Sequence, residues 1–306
     1  MSVLFTFPGQ GAQKPGMLHA LPAHPATART LDEASTALGR SVLELDGANA
    51  LQSTVAVQLC LLVAGVAMAR VLAEHDARPA MVAGLSIGAY PAAVTAGVLA
   101  FSDALELVAL RARLMEQGRP SGYGMLAVMG LTRQQLEPLI AQVHRPGMEA
   151  YLANVNGARQ LVVSGADAAL AAVGALALDA GAQRSERLAV PVPSHCELFA
   201  HEAQEMADAF AKVEVQRPRI VFISSSQGRA MFDARAIATD LAVNLARPVL
   251  CSDTLRHAYE RGARLAVEMP SGAVLTRLAE PVFVDGRVLA CDGNRLDTII
   301  DSIREA

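Results

Sequence analysis

A chain of 306 residues, 52% hydrophobic and 18% charged, suits a buried parallel sheet covered by helices, in one large domain or a large one plus a small one. A net charge of -4 and a pI near 6.0 argue against nucleic-acid binding. Cys60, Cys196, Cys251 and Cys291 are widely spaced without a C-x-x-C pair, so they read as reduced cytoplasmic thiols, neither a disulfide framework nor a metal site.

The first residues lack a basic stretch and a long apolar core, so no secretory signal is expected. Leu4–Phe7 reads as a short buried strand that enters the turn-rich loop Pro8–Gln13. Helical patterns cover Ala26–Leu38 and Thr54–His75. The second contains the most apolar run, Val55–Ala73, which Gln58 interrupts and Arg70 closes; a buried helix is expected, not a membrane span. Residues 81–83 form a strand, followed by Gly84-Leu85-Ser86-Ile87-Gly88 and an Ala-rich helix through Ala96. Phe101–Gln117 is a further helix, N-capped by Ser102 or Asp103.

From Gly122 the texture changes. Strands at Met125–Met129, Glu149–Val155, Gln160–Ser164 and Arg187–Val190 alternate with helices at Thr132–Val143 and Ala166–Ala180, with a hairpin turn at Asn156-Gly157. The order βαββαβ is the ferredoxin-like unit. The expected architecture is therefore an α/β-hydrolase-like domain, residues 1–121 and 192–306, carrying an inserted ferredoxin-like α+β subdomain, residues 122–191. The chain re-enters the larger body at Pro191-Val192-Pro193. Strands at Arg219–Ser224, Leu265–Met269 and Val288–Cys291 then alternate with helices, as a parallel sheet requires.

G-x-S-x-G between a strand and a helix is the pattern of a nucleophile elbow. It exposes Ser86 Oγ at a helix N-terminus and lets the Ile87 N–H face a developing oxyanion. A serine needs a base, and His195 has the most distinctive setting of the seven histidines. Ser194-His195-Cys196-Glu197 fits a capping box, with Ser194 as N-cap and His195 in the first helical turn, where the helix dipole disfavours imidazolium. His19, His24, His75, His144, His201 and His257 are expected in solvent. Arg111 and Arg113, two apart on one helix, point about 200° from each other, so only one can face the elbow. No metal-ligand spacing and no phosphate-binding G-x-G-x-x-G is present.

Five separated pieces carry a resemblance. They are Phe7–Gln13, the elbow, Leu110-Arg111-Ala112-Arg113-Leu114-Met115, Val192-Pro193-Ser194-His195-Cys196 and Glu268–Thr276. In this order they resemble the malonyl-CoA:acyl-carrier-protein transacylases over nearly the whole chain. The resemblance implies that Ser86 attacks the malonyl thioester and that His195 is its base. It implies an oxyanion hole from the N–H groups of Gln10 and Ile87, and Arg111, not Arg113, as the anchor of the malonyl carboxylate. It implies that a main-chain carbonyl orients His195. The matching position is Asn244, where the family usually has glutamine. Malonyl-CoA is then a substrate, no resident cofactor is implied, and the partner is an acyl-carrier protein. Carriers are acidic, so basic residues are expected near the groove, Arg184 and Arg187 or Arg217 and Arg219.

The elbow departs from the family's usual Gly-His-Ser-Leu-Gly at Leu85. The run Gly84–Ala93 looks most like the epsilon subunit of malonate decarboxylase, which loads that enzyme's own carrier subunit. Loading a fatty-acid or polyketide carrier is the alternative. A hydrolase and a silent carrier-docking paralogue are the readings from other classes.

Overall fold

The computed structural model describes residues 2–118, 121–190 and 192–306; Arg119, expected as a solvent-facing arginine, and Pro191 of the re-entry segment lie outside them. The chain runs β1 (Ser2–Phe7), α1 (Pro25–Leu38), α2 (Thr54–Glu74), β2 (Met81–Gly84), α3 (Ala89–Thr95) and α4 (Phe101–Gly118). It continues with β3 (Tyr123–Met129), α5 (Arg133–Val143), β4 (Ala150–Gly157), β5 (Gln160–Ala166), α6 (Asp167–Asp179) and β6 (Arg184–Arg187). Then come α7 (Ala200–Phe210), β7 (Val221–Ser224), β8 (Arg229–Met231), α8 (Ala234–Val243), α9 (Cys251–Glu260), β9 (Ala263–Glu268), α10 (Val274–Ala279), β10 (Arg287–Ala290) and α11 (Leu296–Arg304).

Two sheets result. The larger has the order β10-β9-β1-β2-β7-β8, parallel except for β8. Its inner strands are apolar on both faces because helices cover both, and β1 is buried at Val3–Phe7. β1 is followed in sequence by β2 on one side and flanked by β9 on the other. Such a switch point leaves a crevice at the carboxyl ends of the strands. α2 is long and apolar enough to cross a membrane, with a mean hydropathy of 2.2 over its most apolar window, yet 89% of that window is buried in the fold. It serves as a core helix, packed against α1, α3 and α4.

The smaller sheet is antiparallel, order β4-β5-β3-β6, the ferredoxin-like arrangement. α5 and α6 cover one face, burying Leu126, Val128, Leu161 and Val163. The other face turns Met125, Val162 and Ser164 toward the larger body. Two seams join the units. Asn154 and Val249 form a short parallel bridge, with Val155 N–H to Val249 O and Val249 N–H to Ala153 O, both 2.8 Å. Ser164 Oγ donates to the Ser194 carbonyl at 2.6 Å.

Several local expectations are corrected. α4 begins at Phe101, with Ala104 N–H on the Ala100 carbonyl, so Ser102 and Asp103 lie in the first turn and neither is the cap. The hairpin turn is Ala158-Arg159. Asn156 and Gly157 remain in β4, whose two register shifts absorb the extra residues. The last small-sheet strand is Arg184–Arg187, three residues earlier than its apolar neighbours suggested; an edge strand tolerates this charge. β8 was not anticipated. It is the antiparallel return of a hairpin from β7, turned at Gly228 with φ of 63°.

Candidate active site

The elbow forms because two glycines permit contacts that a side chain would forbid. A Cβ on Gly84 would lie 2.0 Å from the Gly88 carbonyl group, and one on Gly88 would lie 2.0 Å from the Phe7 carbonyl oxygen. β2 can therefore turn back sharply against the end of β1. Leu85 N–H completes the seam by donating to Phe7 O at 2.9 Å. Between the glycines Ser86 is forced to φ of 57°, a left-handed conformation rare outside glycine and typical of strained functional turns. A 3-10 turn, Ser86–Gly88, leads into α3, and Ile87 is buried.

His195 also has a left-handed backbone, φ 66°. The expected capping box is absent. The short 3-10 helix begins at Glu197 with Cys196 in the capping position, so His195 lies in the turn before it and not in a first helical turn. Its N–H donates to Leu245 O at 2.7 Å, tying the loop to the segment after α8. The imidazole is 3% exposed. Nδ1 lies 2.8 Å from the Asn244 carbonyl and Nε2 lies 2.8 Å from Ser86 Oγ. A carbonyl only accepts, so Nδ1 carries the hydrogen and Nε2 accepts from the serine hydroxyl. Burial, then the Arg111 charge, lower the His195 pKa to about 4, against the opposing pull of the Asn244 and Arg247 carbonyls. The ring is therefore neutral at physiological pH, by desolvation and a neighbouring cation and not by a helix dipole.

Arg111 is the largest fully buried side chain, at 0% exposure on α4. Nη2 donates to Ser86 Oγ at 3.1 Å and to Asn244 Oδ1 at 3.2 Å, and Nη1 donates to Gln58 Oε1 at 2.6 Å. Nε is buried with no partner among the described residues. Burial lowers the guanidinium pKa from its usual value, and Tyr90, whose ring centroid is 5.8 Å from Cζ, opposes that shift. Arg113 points elsewhere, into a surface groove with Asp103, Glu106 and Lys212. Gln10 follows the loop out of β1, where Gly9 lies against the Leu85 carbonyl; a Cβ there would be 2.8 Å from that oxygen. Leu85 packs with Cys251, Leu255 and Leu275 in an apolar cluster behind the elbow.

Ser86, His195, Arg111 and Asn244 thus meet at one point, with Gln10 and Ile87 on the loops beside it. Sequence reasoning missed Gln58 as a member. Its signal was present: one amide in the most apolar run of the chain, on α2, with its oxygen turned to Arg111. The other histidines are less uniform than expected. His24 accepts from Ala26 N–H to cap α1, and His257 accepts from Ala230 N–H, so these two are partly buried structural groups. Arg217 and Arg219 precede β7, whose first residue pairs with Met81, so they sit at the opposite end of the sheet from Ser86. Arg184 and Arg187 lie on β6, paired with Glu186 and Asp167.

The arrangement supplies a serine with a neutral base and a buried cation beside it. An acyl transferase domain model matches residues 4–290. The chain belongs to the acyl transferase family. A malonyl CoA-acyl carrier protein transacylase of Haemophilus influenzae is 36% identical over 286 residues, covering 91% of each chain. The acyl carrier protein S-malonyltransferase of Vibrio cholerae superposes with a TM-score of 0.93 at 33% identity, over 99% of this chain and 100% of that one. A malonyl-transacylase solved in complex with a type II polyketide synthase acyl-carrier protein gives 0.92 at 32% identity, over all of both chains. This acyltransferase carries the six-stranded sheet and the small four-stranded sheet described above.

Proposed function

We propose that the protein is a malonyl-CoA:acyl-carrier-protein S-malonyltransferase that works through a malonyl-serine intermediate. The observation that carries this reading is Arg111: a fully buried guanidinium, 3.1 Å from the nucleophile, whose hydrogen-bond partners among the described residues are all uncharged. A buried unpaired cation is costly, so the site favours an acyl group that brings its own carboxylate. Malonyl does; acetyl does not.

Ser86 Oγ attacks the thioester carbon as His195 Nε2 takes the hydroxyl proton. The N–H groups of Gln10 and Ile87 receive the developing oxyanion. Collapse breaks the C–S bond, and the departing CoA thiol takes the proton from Nε2. A carrier thiol then repeats the sequence in reverse. It loses its proton to His195, attacks the malonyl-serine ester, and Ser86 recovers the proton as it leaves. CoA enters as substrate and the carrier as partner, with no resident cofactor in the cycle. Four buried thiols support the cytoplasm as the compartment.

The choice of carrier separates two readings. The relatives named above are transacylases of acyl-carrier proteins, which favours a fatty-acid or polyketide carrier. The elbow run Gly84–Ala93, with Leu85 for the usual histidine, is the observation that favours the malonate decarboxylase carrier. One experiment addresses both. The enzyme is loaded with malonyl-CoA and offered both carriers in one pot, and intact mass shows which gains malonyl. Arg111→Ala in the same assay should cut malonyl transfer far more than acetyl transfer. Equal losses would place the carboxylate anchor elsewhere.

A further inference from the structure

Asn244 contacts the site with two separate parts of itself. Its main-chain carbonyl accepts from His195 Nδ1 at 2.8 Å, and its side-chain Oδ1 accepts from Arg111 Nη2 at 3.2 Å. Any substitution keeps the carbonyl; only some keep the side-chain oxygen. The residue is 1% exposed and opens the 3-10 turn that follows α8, so its side chain has little room to reorient. Gln58 Oε1 holds Nη1 from the opposite helix at 2.6 Å. The guanidinium is therefore clamped through both terminal nitrogens by two neutral carboxamides, while Nη2 also reaches Ser86 Oγ at 3.1 Å.

Neutral acceptors are what this position needs. A carboxylate in the clamp would pair with Arg111 and compete with an anionic acyl group. A clamp without an acceptor would leave a long, rotamer-rich side chain free to move off the nucleophile. We propose that Asn244 is a specificity-positioning residue: its side-chain oxygen, with that of Gln58, fixes the Arg111 guanidinium beside Ser86 so that an anionic acyl group is selected over a neutral one, while its carbonyl separately orients the base. This rests on the reading of Arg111 as carboxylate anchor.

The test compares malonyl-CoA with acetyl-CoA in wild type, Asn244→Ala, Asn244→Asp and Asn244→Gln, each checked for folding by thermal unfolding. Asn244→Ala removes a hydrogen bond to a charged group. The malonyl-to-acetyl ratio of kcat/KM should fall roughly 10–100-fold, mostly through the malonyl KM. Asn244→Asp, which has the shape of the native residue, should lower the ratio at least as far. Its carboxylate also offsets the Arg111 charge felt by His195, so the acidic limb of acetyl kcat/KM should move to higher pH. Tyr90 is the other titratable group facing Arg111, and it is unchanged in every variant. Asn244→Gln should keep the ratio within a few-fold. Should Asn244→Ala not fold, the Asp variant decides alone. A ratio unmoved by the variants, or equal losses on both substrates, would overturn this inference while leaving the transferase reading intact. A wild type with no malonyl preference would overturn the anchor and this inference together.

Discussion

Ser86 Oγ sits between two nitrogens of opposite demand: it donates to His195 Nε2 and accepts from Arg111 Nη2. Ser86→Ala should give no malonyl adduct by intact mass, and a retained adduct would remove Ser86 as the proposed nucleophile. His195→Ala should slow both acylation and transfer, by roughly 10²–10⁴-fold if it is the base. The pH dependence follows from the depressed imidazole. The base works only when neutral, and its pKa is lowered to about 4, so kcat/KM should stay level from neutral pH down to about 5 and fall as pH drops through about 4. Part of that depression comes from Arg111. A bound malonyl carboxylate offsets this charge, so the acidic limb of kcat should lie above that of kcat/KM. A common limb for both would mean that Arg111 does not meet the substrate's charge. Ser86 and His195 were legible because each sits in a short motif with a chemical reason, whereas Arg111 and Asn244 came with the family resemblance, Asn244 for its carbonyl alone, and Gln58 was missed. The backbone was not legible either: nothing in Ser194-His195-Cys196-Glu197 distinguishes a capping box from a left-handed turn held by the Leu245 carbonyl.

At the scale of elements, the elbow depends on the two glycines more than on any side chain. Gly88→Ala would drive a Cβ into the Phe7 carbonyl at 2.0 Å. Neither atom is the end of a flexible side chain, so β1 and β2 must part. Thermal unfolding should drop by roughly 5 °C or more and acyl-enzyme formation should collapse with it. A Gly88→Ala enzyme with native Tm and activity would show that the turn tolerates widening. The long helices were readable because their apolar periods run for several turns; α2 and α5 were placed within about a residue at each end. Short edge strands were not. β6 is Arg-Ser-Glu-Arg and β8 has three residues, so neither carries an alternation long enough to register. Their pairing is decided by partners far along the chain.

At the scale of the whole molecule, Ser86, Arg111, His195 and Asn244 all lie in the larger body, and the small sheet braces the segments that carry two of them. His195 arrives from a loop fastened to the small sheet by Ser164, and the Asn244 turn leads into the Val249 seam with β4. The ferredoxin-like unit is thus part of how His195 is aimed. The four cysteines lie inside this assembly. Burial pushes Cys60 and Cys251 up to about 12 and raises Cys291 further, so these three should resist alkylation at pH 8 until the protein unfolds. Labelling of the native enzyme by iodoacetamide at any of the three would contradict their placement. The strand order also fixes a timetable. β1 is the first strand made, yet one of its two neighbours, β9, is nearly the last. Residues 85–262 must be translated between β2 and β9, roughly 9–36 s at ~5–20 residues/s. Through that interval the emerging chain carries an apolar strand with one hydrogen-bonding edge open, and a ribosome-bound chaperone has a defined segment to shield.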